Sequence, residues 1–496
     1  MLCSIPKEQG PKVWIGSTYL NRLYMNKYYY IFWIGTLSFF GINVASAQKV
    51  QISEPVDVAN EVDYELIAKY ENQVLLYRKT ETKFFIQSFT NGDLKQNWVK
   101  TIEFNKRDIT PFKIVPHKES FSILYYYHKK GNTYIRGKEF DTEAKEIDDF
   151  DIGVFNNLFV LHRHQIINSQ NKKFSLIYVP SYKGHLEVIN FDMVNKEQLW
   201  QEELRFSDLS YHKDFQQLLI NNGGEAFIVY NQNNNKRQRK NHQFSICKIG
   251  LNKAKHFHTI PFYDYISYDM NVQYDEINQQ LVAAGLYSTQ NAVANGIFYF
   301  NTNFEAIPTV QISELEESFM RSLTGKKSKK ITGIQNFMIC QLVLRKDGGA
   351  VLVAEQRFSY ESSMAFYEEE RSKAQADYLY ENILVASIHP SGKVYWKDVL
   401  FKSQSSENDN GRYSSFFAVK TNSSIRFLYN NDISWDTSIF EYVINSSGTV
   451  KRNVVAHQER KSGVLPQLAN SIQVSASEVI ALSERDQKLR LLKINY

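Results

Sequence analysis

Short apolar runs rich in Tyr, Phe, Ile and Val alternate along this chain with turns of Asn, Asp, Gly, Ser and Lys. Runs end at Phe89, Phe140, Phe191, Ile249, Phe300, Ile388, Ile444 and Ile494, at successive spacings of 51, 51, 58, 51, 88, 56 and 50 residues. A strand-built repeat near this length is the pattern of β-propeller blades. The first unit contains four runs: Tyr64–Tyr70, Val74–Tyr77, Lys83–Phe89 and, after the turn Thr90–Asp93, Trp98–Ile102. Residues 173–204 and 341–396 repeat the arrangement. β-Branched and aromatic residues suit pleated, half-buried surfaces, and the intervening residues suit hairpin turns. The pattern predicts an all-β fold, a single β-propeller of eight four-stranded blades. Seven blades are the alternative, if the unit over Phe121–Phe140 is absorbed differently.

The eighth unit reaches Tyr496 with three runs only. Val50–Ser53, ahead of the first unit, is the candidate for the missing strand; pairing it there would close the ring and remove an open edge. Trp98, Trp200 and Trp396 each stand 8 or 9 residues beyond a run end, with Phe257 at the same offset. A large aromatic there can wedge between adjacent blades. The 88-residue spacing holds two insertions, 315–330 and 360–380. Repeat folds place insertions on loops of one face, often the binding face. Within the second, Phe366, Tyr367, Tyr378 and Tyr380 are large and amphipathic, the residue types that anchor interfaces, and they are the candidate binding residues.

The first 47 residues are expected to stay outside the fold. Met25-Asn26-Lys27 is a short cationic segment, Tyr28–Val44 is apolar, and Ala45-Ser46-Ala47 precedes Gln48. That is the pattern of a secretory signal peptide over 25–47, with 1–24 read as sequence upstream of the native start. The expectation is a mature chain from Gln48 without a transmembrane segment, in the periplasm, associated with the outer membrane, or extracellular. The formal charge of +5 is concentrated in the leader, which carries four Lys/Arg against one Glu. The remainder is close to neutral, so charge alone predicts no attraction to nucleic acid. Cys247 and Cys340 each lie in a strand-like run and read as small buried hydrophobes rather than a disulfide framework.

Candidate chemistry is sparse. His162-Arg163-His164 and His256-Phe257-His258 would place two imidazoles on one face of a strand. Neither has a Cys or carboxylate at a ligand spacing, so His162 and His164 are candidates for a metal only by residue type. Glu407–Gly411 offers oxygen ligands, Asp409 among them, but lacks the alternating acids of a calcium loop. Asp148–Asp151 reads as an acidic turn. Asn233–Lys240 and Lys326–Lys330 read as basic loops suited to an acidic partner or a phosphate. No nucleophile elbow, zinc-protease helix or phosphate loop occurs. Propeller sites can still be assembled from single residues on separate blades.

Asp347–Gln356 followed by a Tyr-rich insertion resembles uncharacterised exported β-propeller proteins of Bacteroidota, as do Phe427–Asp432 and Leu489–Tyr496. The resemblance covers roughly the last 180 residues and implies a propeller of the WD-repeat and quinoprotein type, without an activity. Gly392-Lys393-Val394-Tyr395-Trp396 is similar to the blade turns of quinoproteins. The full tryptophan-docking motif and the adjacent cysteine pair are absent, so no cofactor is expected. The expected function is a binding or scaffold module for an envelope protein or glycan, monomeric outside its complex. The alternative is a hydrolase or lyase acting on a polysaccharide or lactone from the central channel.

Overall fold

Each of the eight run ends falls at or near the close of the third strand of a four-stranded antiparallel blade. In blade one, Glu61–Tyr70, Gln73–Thr80, Phe84–Thr90 and Gln96–Ile102 pair in sequence order. Blade two is complete, with Thr110–Pro116, Ser120–Lys129, Asn132–Asp141 and Glu146–Phe155, so the blades number eight. The computed structural model describes residues 49–181, 184–290, 293–325, 331–362, 375–433, 438–457 and 464–496. The leader, Phe366, Tyr367 and Lys326–Lys330 lie outside the described residues.

The core explains why the runs are so apolar. One hydrophobic cluster fills each interface between successive blades. Ile86 of blade one packs with Phe121, Ile123 and Phe140 of blade two. Around the ring, Ile480, Leu482 and Leu491 of blade eight meet Val74, Leu76 and Phe89 of blade one. A blade is therefore covered on both flat sides, and its second strand reads as a continuous apolar run: Val74, Leu75, Leu76 and Tyr77 are all buried. The outermost strand keeps one side in water, and Gln96, Asn97, Val99 and Lys100 are exposed.

Lys49–Ile52 pairs antiparallel with Lys488–Asn495, Val50 opposite Ile494, and occupies the outer position of the eighth sheet. Val56–Asp57 pairs further along the same strand.

Strand order defines two faces. On the turn face lie the hairpins joining first to second strands and third to fourth strands. On the crossover face lie the loops joining second to third strands, together with the crossovers from each fourth strand to the next blade. The basic loop 233–242, the helix-bearing crossover after Gln311–Glu314 and the blade-six loop after Ala350–Ser362 all fall on the crossover face.

Several expectations change in the structure. The first insertion contains the helix Glu317–Thr324, whose Met320 and Leu323 are buried in the core between blades five and six. The second lengthens a hairpin: Ala350–Ser362 and Gln375–Ile388 pair out to Ser362 opposite Gln375, and Gln404–Glu407 adds a strand against Asp377–Tyr380. Asp148–Asp151 is no turn but part of the strand Glu146–Phe155. Arg136 takes Asp149 at 2.9 Å, and Lys196 of blade three takes Asp148 at 2.8 Å. An acidic run therefore sits in a ladder, because cations of its own and the next blade neutralise it. Trp200 is buried against blade four, and Trp396 lies over the Gly448 turn of blade seven. Phe257, at the same offset, is 53% exposed and meets Phe206 edge-on instead.

Candidate functional site on the crossover face

At the channel mouth the first strand of blade one presents Asp63, Tyr64 and Glu65. Arg163, from the crossover between blades two and three, pairs with Asp63 and lies 3.2 Å from Glu65. Burial raises the Glu65 carboxyl above its usual range, against the pull of Arg163 and Lys113. Tyr64 donates to Glu484 at 2.6 Å and accepts from Gln467 at 2.9 Å. Arg412 bonds the Tyr64 hydroxyl and pairs with Glu484 at 2.7 Å. Blades one, seven and eight are thereby laced together at the mouth, and each of these three carboxylates already has an arginine.

Below the mouth, first strands of blades three to seven line a cavity of about 660 Å³ whose wall includes Asn168, Gln216, Gln217, Gln273 and Lys420. The Gln217 amide bonds both the carbonyl and the N–H of Val272, so it joins blades four and five. The polar wall is in part structural.

The metal candidates are placed differently from the sequence expectation. His162 caps a single 3-10 turn, Arg163–Gln165, and His164 lies within it, not on a strand, though their rings still stack 5.5 Å apart. Asp409 closes its own turn, accepting from Ser406 at 2.7 Å and from the Gly411 N–H at 2.8 Å. Among the described residues no three His, Cys, Asp or Glu side chains converge as a metal site would require.

Of the four aromatic candidates, two are described. Tyr378 donates to Asn410 at 2.9 Å. Tyr380 lies under the Arg357 guanidinium, 5.0 Å from the ring centroid, and against Gly411. These contacts tie the base of the blade-six hairpin to the 404–411 segment.

Beneath Tyr380 lies a polar cluster that the sequence does not announce. Lys402 and Glu355 are both fully buried, with Lys402 Nζ 2.8 Å from Glu355 Oε1. Lys402 also donates to Gln404 at 2.8 Å and to the Tyr380 carbonyl at 3.0 Å. The other Glu355 oxygen takes Arg357 Nε and Ser415 Oγ, each at 2.7 Å. Arg357 Nη2 reaches Cys340 Sγ at 3.2 Å. Burial pulls the Lys402 ammonium below its usual value while Glu355 opposes that pull. Cys340 is thus half-buried in polar surroundings, whereas Cys247 is a buried member of the core between blades three and four; both are free thiols. Burial, aided by Glu355, pushes the Cys340 thiol up to about 12, far from the thiolate that reactive cysteines need.

The basic loop hangs on His242, which is fully buried between Phe244 and Phe262. One ring nitrogen lies 2.7 Å from the Tyr265 carbonyl and the other 2.6 Å from Asn231 Oδ1. Turning that amide presents its NH2 to a neutral ring. Burial lowers this imidazole to about 4, against the Tyr265 bond that favours its charged form. Between its ordinary value near 6.5 and about 4, the unfolded chain binds a proton that the folded one does not. The stabilisation is complete above the upper value and is lost as pH falls toward the lower, by about 3 kcal/mol in all. His242→Gln is expected to flatten that part of the pH dependence, measured as denaturation midpoints at neutral and acid pH. Parallel curves for the two proteins would remove His242 as the acid-sensitive group.

No family model matches the chain, and neither does any curated protein. Solved structures that match do so along most of their length at low identity. The Dos1 propeller has 8% identity over 89% of this chain and 94% of its own, with a TM-score of 0.42. A europium-containing methanol dehydrogenase has 8% identity over 90% and 93%, with a TM-score of 0.38. The polysaccharide lyase Uly1 has 10% identity over 79% and 91%, with a TM-score of 0.39. Likenesses this distant transfer no activity, and the blade count rests on the strand pairing of the chain itself.

Proposed function

We propose that this chain is an exported propeller, of the kind its resemblance to Bacteroidota proteins suggests, that binds an envelope protein or glycan through its crossover face. The observation that carries the reading is topological. Three excursions singled out by the sequence, namely the blade-six hairpin, the helix-bearing crossover and the basic loop, leave their strands on one face. Tyr378 and Tyr380 are engaged at the base of the hairpin, so residues 363–374, Phe366 and Tyr367 among them, are the segment assigned to meet a partner. The near-neutral charge outside the leader favours neither nucleic acid nor a membrane surface. The reading needs neither cofactor nor metal. Catalysis at the channel mouth is the weaker reading, because Asp63, Glu65 and Glu484 are engaged by Arg163 and Arg412.

Replacing residues 363–374 with a short Gly-Ser turn tests it. The ladder through Ser362 and Gln375 stays intact, so stability is expected to change by less than about 1 kcal/mol, loop closure depending only weakly on length. Recovery of the partner from the envelope fraction of the producing cell is expected to fall to background. Full recovery by a folded variant would remove the hairpin tip as the binding site.

A further inference from the structure

In five of the eight blades the residue just before the run end bridges to the next blade on the turn face; in blade four Lys248 pairs with Glu225 of its own blade, and in blade seven the position is the apolar Val443. Asn190 of blade three donates to the Gly224 carbonyl of blade four at 2.9 Å. Tyr299 of blade five donates to the Gly348 carbonyl of blade six at 2.9 Å, and its ring fills the space between them. Glu139 of blade two pairs with Lys196 of blade three at 2.7 Å. Lys493 of blade eight bonds the Asn91 carbonyl of blade one. Ser88 of blade one relays through Gln73, which donates to the Thr142 carbonyl of blade two at 2.9 Å.

Blade six has Ser387 at this position. Its hydroxyl turns back to its own blade and accepts from Arg345 Nη1 at 2.6 Å. Among the described residues Ser387 makes no hydrogen bond to blade seven, and a cavity of about 410 Å³ opens between the two blades. Val343, Val351 and Val385 of blade six and Ile425 and Ile444 of blade seven line it, with Trp396 on the fourth-strand side. The turn Thr421–Ser424, which corresponds to the Gly348 turn, forms its polar lip. The volume falls in the range of small-ligand pockets, with an apolar wall facing a polar rim to which Arg345, Asp347 and Asn445 also contribute.

The neighbouring interface says what fits. At Tyr299 the chain fills the same space with a phenol whose ring packs between the blades and whose hydroxyl donates to a turn carbonyl. We propose that the cavity between blades six and seven is a binding site for an aromatic ring bearing a hydrogen-bonding tip, supplied either by a free phenolic molecule or by a tyrosine side chain of a peptide. The ring would lie against Trp396 and the valines, and its hydroxyl would donate to the 421–424 turn as Tyr299 does to its own. Aromatic faces and edges add to burial in such a slot. The site is on the turn face and stands independently of the crossover-face reading.

The test is titration of the full chain with 4-methylphenol, toluene and N-acetyl-tyrosinamide, followed by ligand-observed NMR. Saturable binding of 4-methylphenol in the millimolar range is expected, since so small a ligand gains little per atom. Toluene should bind about tenfold more weakly, for want of the hydroxyl. Binding of the amide as well would identify a peptide source; binding of the phenol alone would identify a small molecule. Ser387→Tyr fills the cavity as Tyr299 fills its own and should abolish binding with melting temperature held or raised. Ser423→Trp, at an exposed lip residue, should cover the entrance without entering the core. Equal affinity of toluene and 4-methylphenol, binding undiminished in both variants, or no saturation by either phenol below about 10 mM would overturn the proposal.

Discussion

Glu355→Ala is expected to destabilise the blade-six hairpin by about 3–5 kcal/mol, the usual loss when one member of a buried ion pair is removed. The reason is the company that Glu355 keeps. Lys402 is fully buried beside it, and Arg357 and Ser415 converge on its other oxygen. Without the carboxylate two cations face one another in a site with little water, and Ser415 loses its acceptor while held at φ 70°. A double variant, Glu355→Leu with Lys402→Met, should recover part of the loss, because a packed apolar pair avoids the desolvation that the ion pair carries. Chemical denaturation gives the magnitude, and hydrogen exchange over 350–416 shows whether the loss is confined to the hairpin base. A single variant within about 1 kcal/mol of wild type would show that Lys402 and Arg357 find water instead. The functional consequence follows from the base of the hairpin: partner recovery should fall with the double variant less than with the single one.

Sequence and structure agree wherever the signal is periodic. Phe89, Phe140 and the six later run ends all close third strands, since a strand covered on both sides must be apolar through its length and must end in a turn. Agreement fails where residues meet across blades. Glu355, Lys402, Arg357 and Ser415 come from a second strand and a crossover, and nothing in their spacing announces the contact. Asp148–Asp151 looks solvated until Arg136 and Lys196 are placed beside it. His162 and His164 share a face, but on a 3-10 turn whose shape the pattern does not encode. The cavity beside Ser387 is not legible in the sequence. Asn190 and Tyr299 stand where blade six has Ser387, but Ser88 is equally small at that position and still relays to blade two through Gln73. What separates the two serines is Arg345, which holds Ser387 back to its own blade.

Deleting Gln48–Pro55 is expected to leave the third strand of blade eight as an open edge and to lower the melting temperature sharply. Lys49–Ile52 forms a four-residue ladder with Ile52 opposite Leu492. Ser53 adds two bonds, its N–H to the Leu491 carbonyl and its Oγ from the Leu491 N–H, each 2.9 Å. At about 1 kcal/mol net for each hydrogen bond, the loss is on the order of 4 kcal/mol, before the packing of Val50 in the cluster between blades seven and eight is counted. The competing arrangement is closure by the core alone: Ile480, Leu482 and Leu491 still meet Val74, Leu76 and Phe89 across the seam. The two make different predictions. If the strand carries closure, the deletion variant melts early, aggregates through its edge at higher concentration, and is rescued by adding the synthetic peptide 48–55, which can re-form the ladder in trans. If the hydrophobic seam suffices, the melting curve does not move and the peptide binds without effect on it. The first outcome is expected, because apolar packing is non-directional and leaves the outward-facing N–H and C=O groups of Leu491–Asn495 without partners, whereas the N-terminal strand satisfies them.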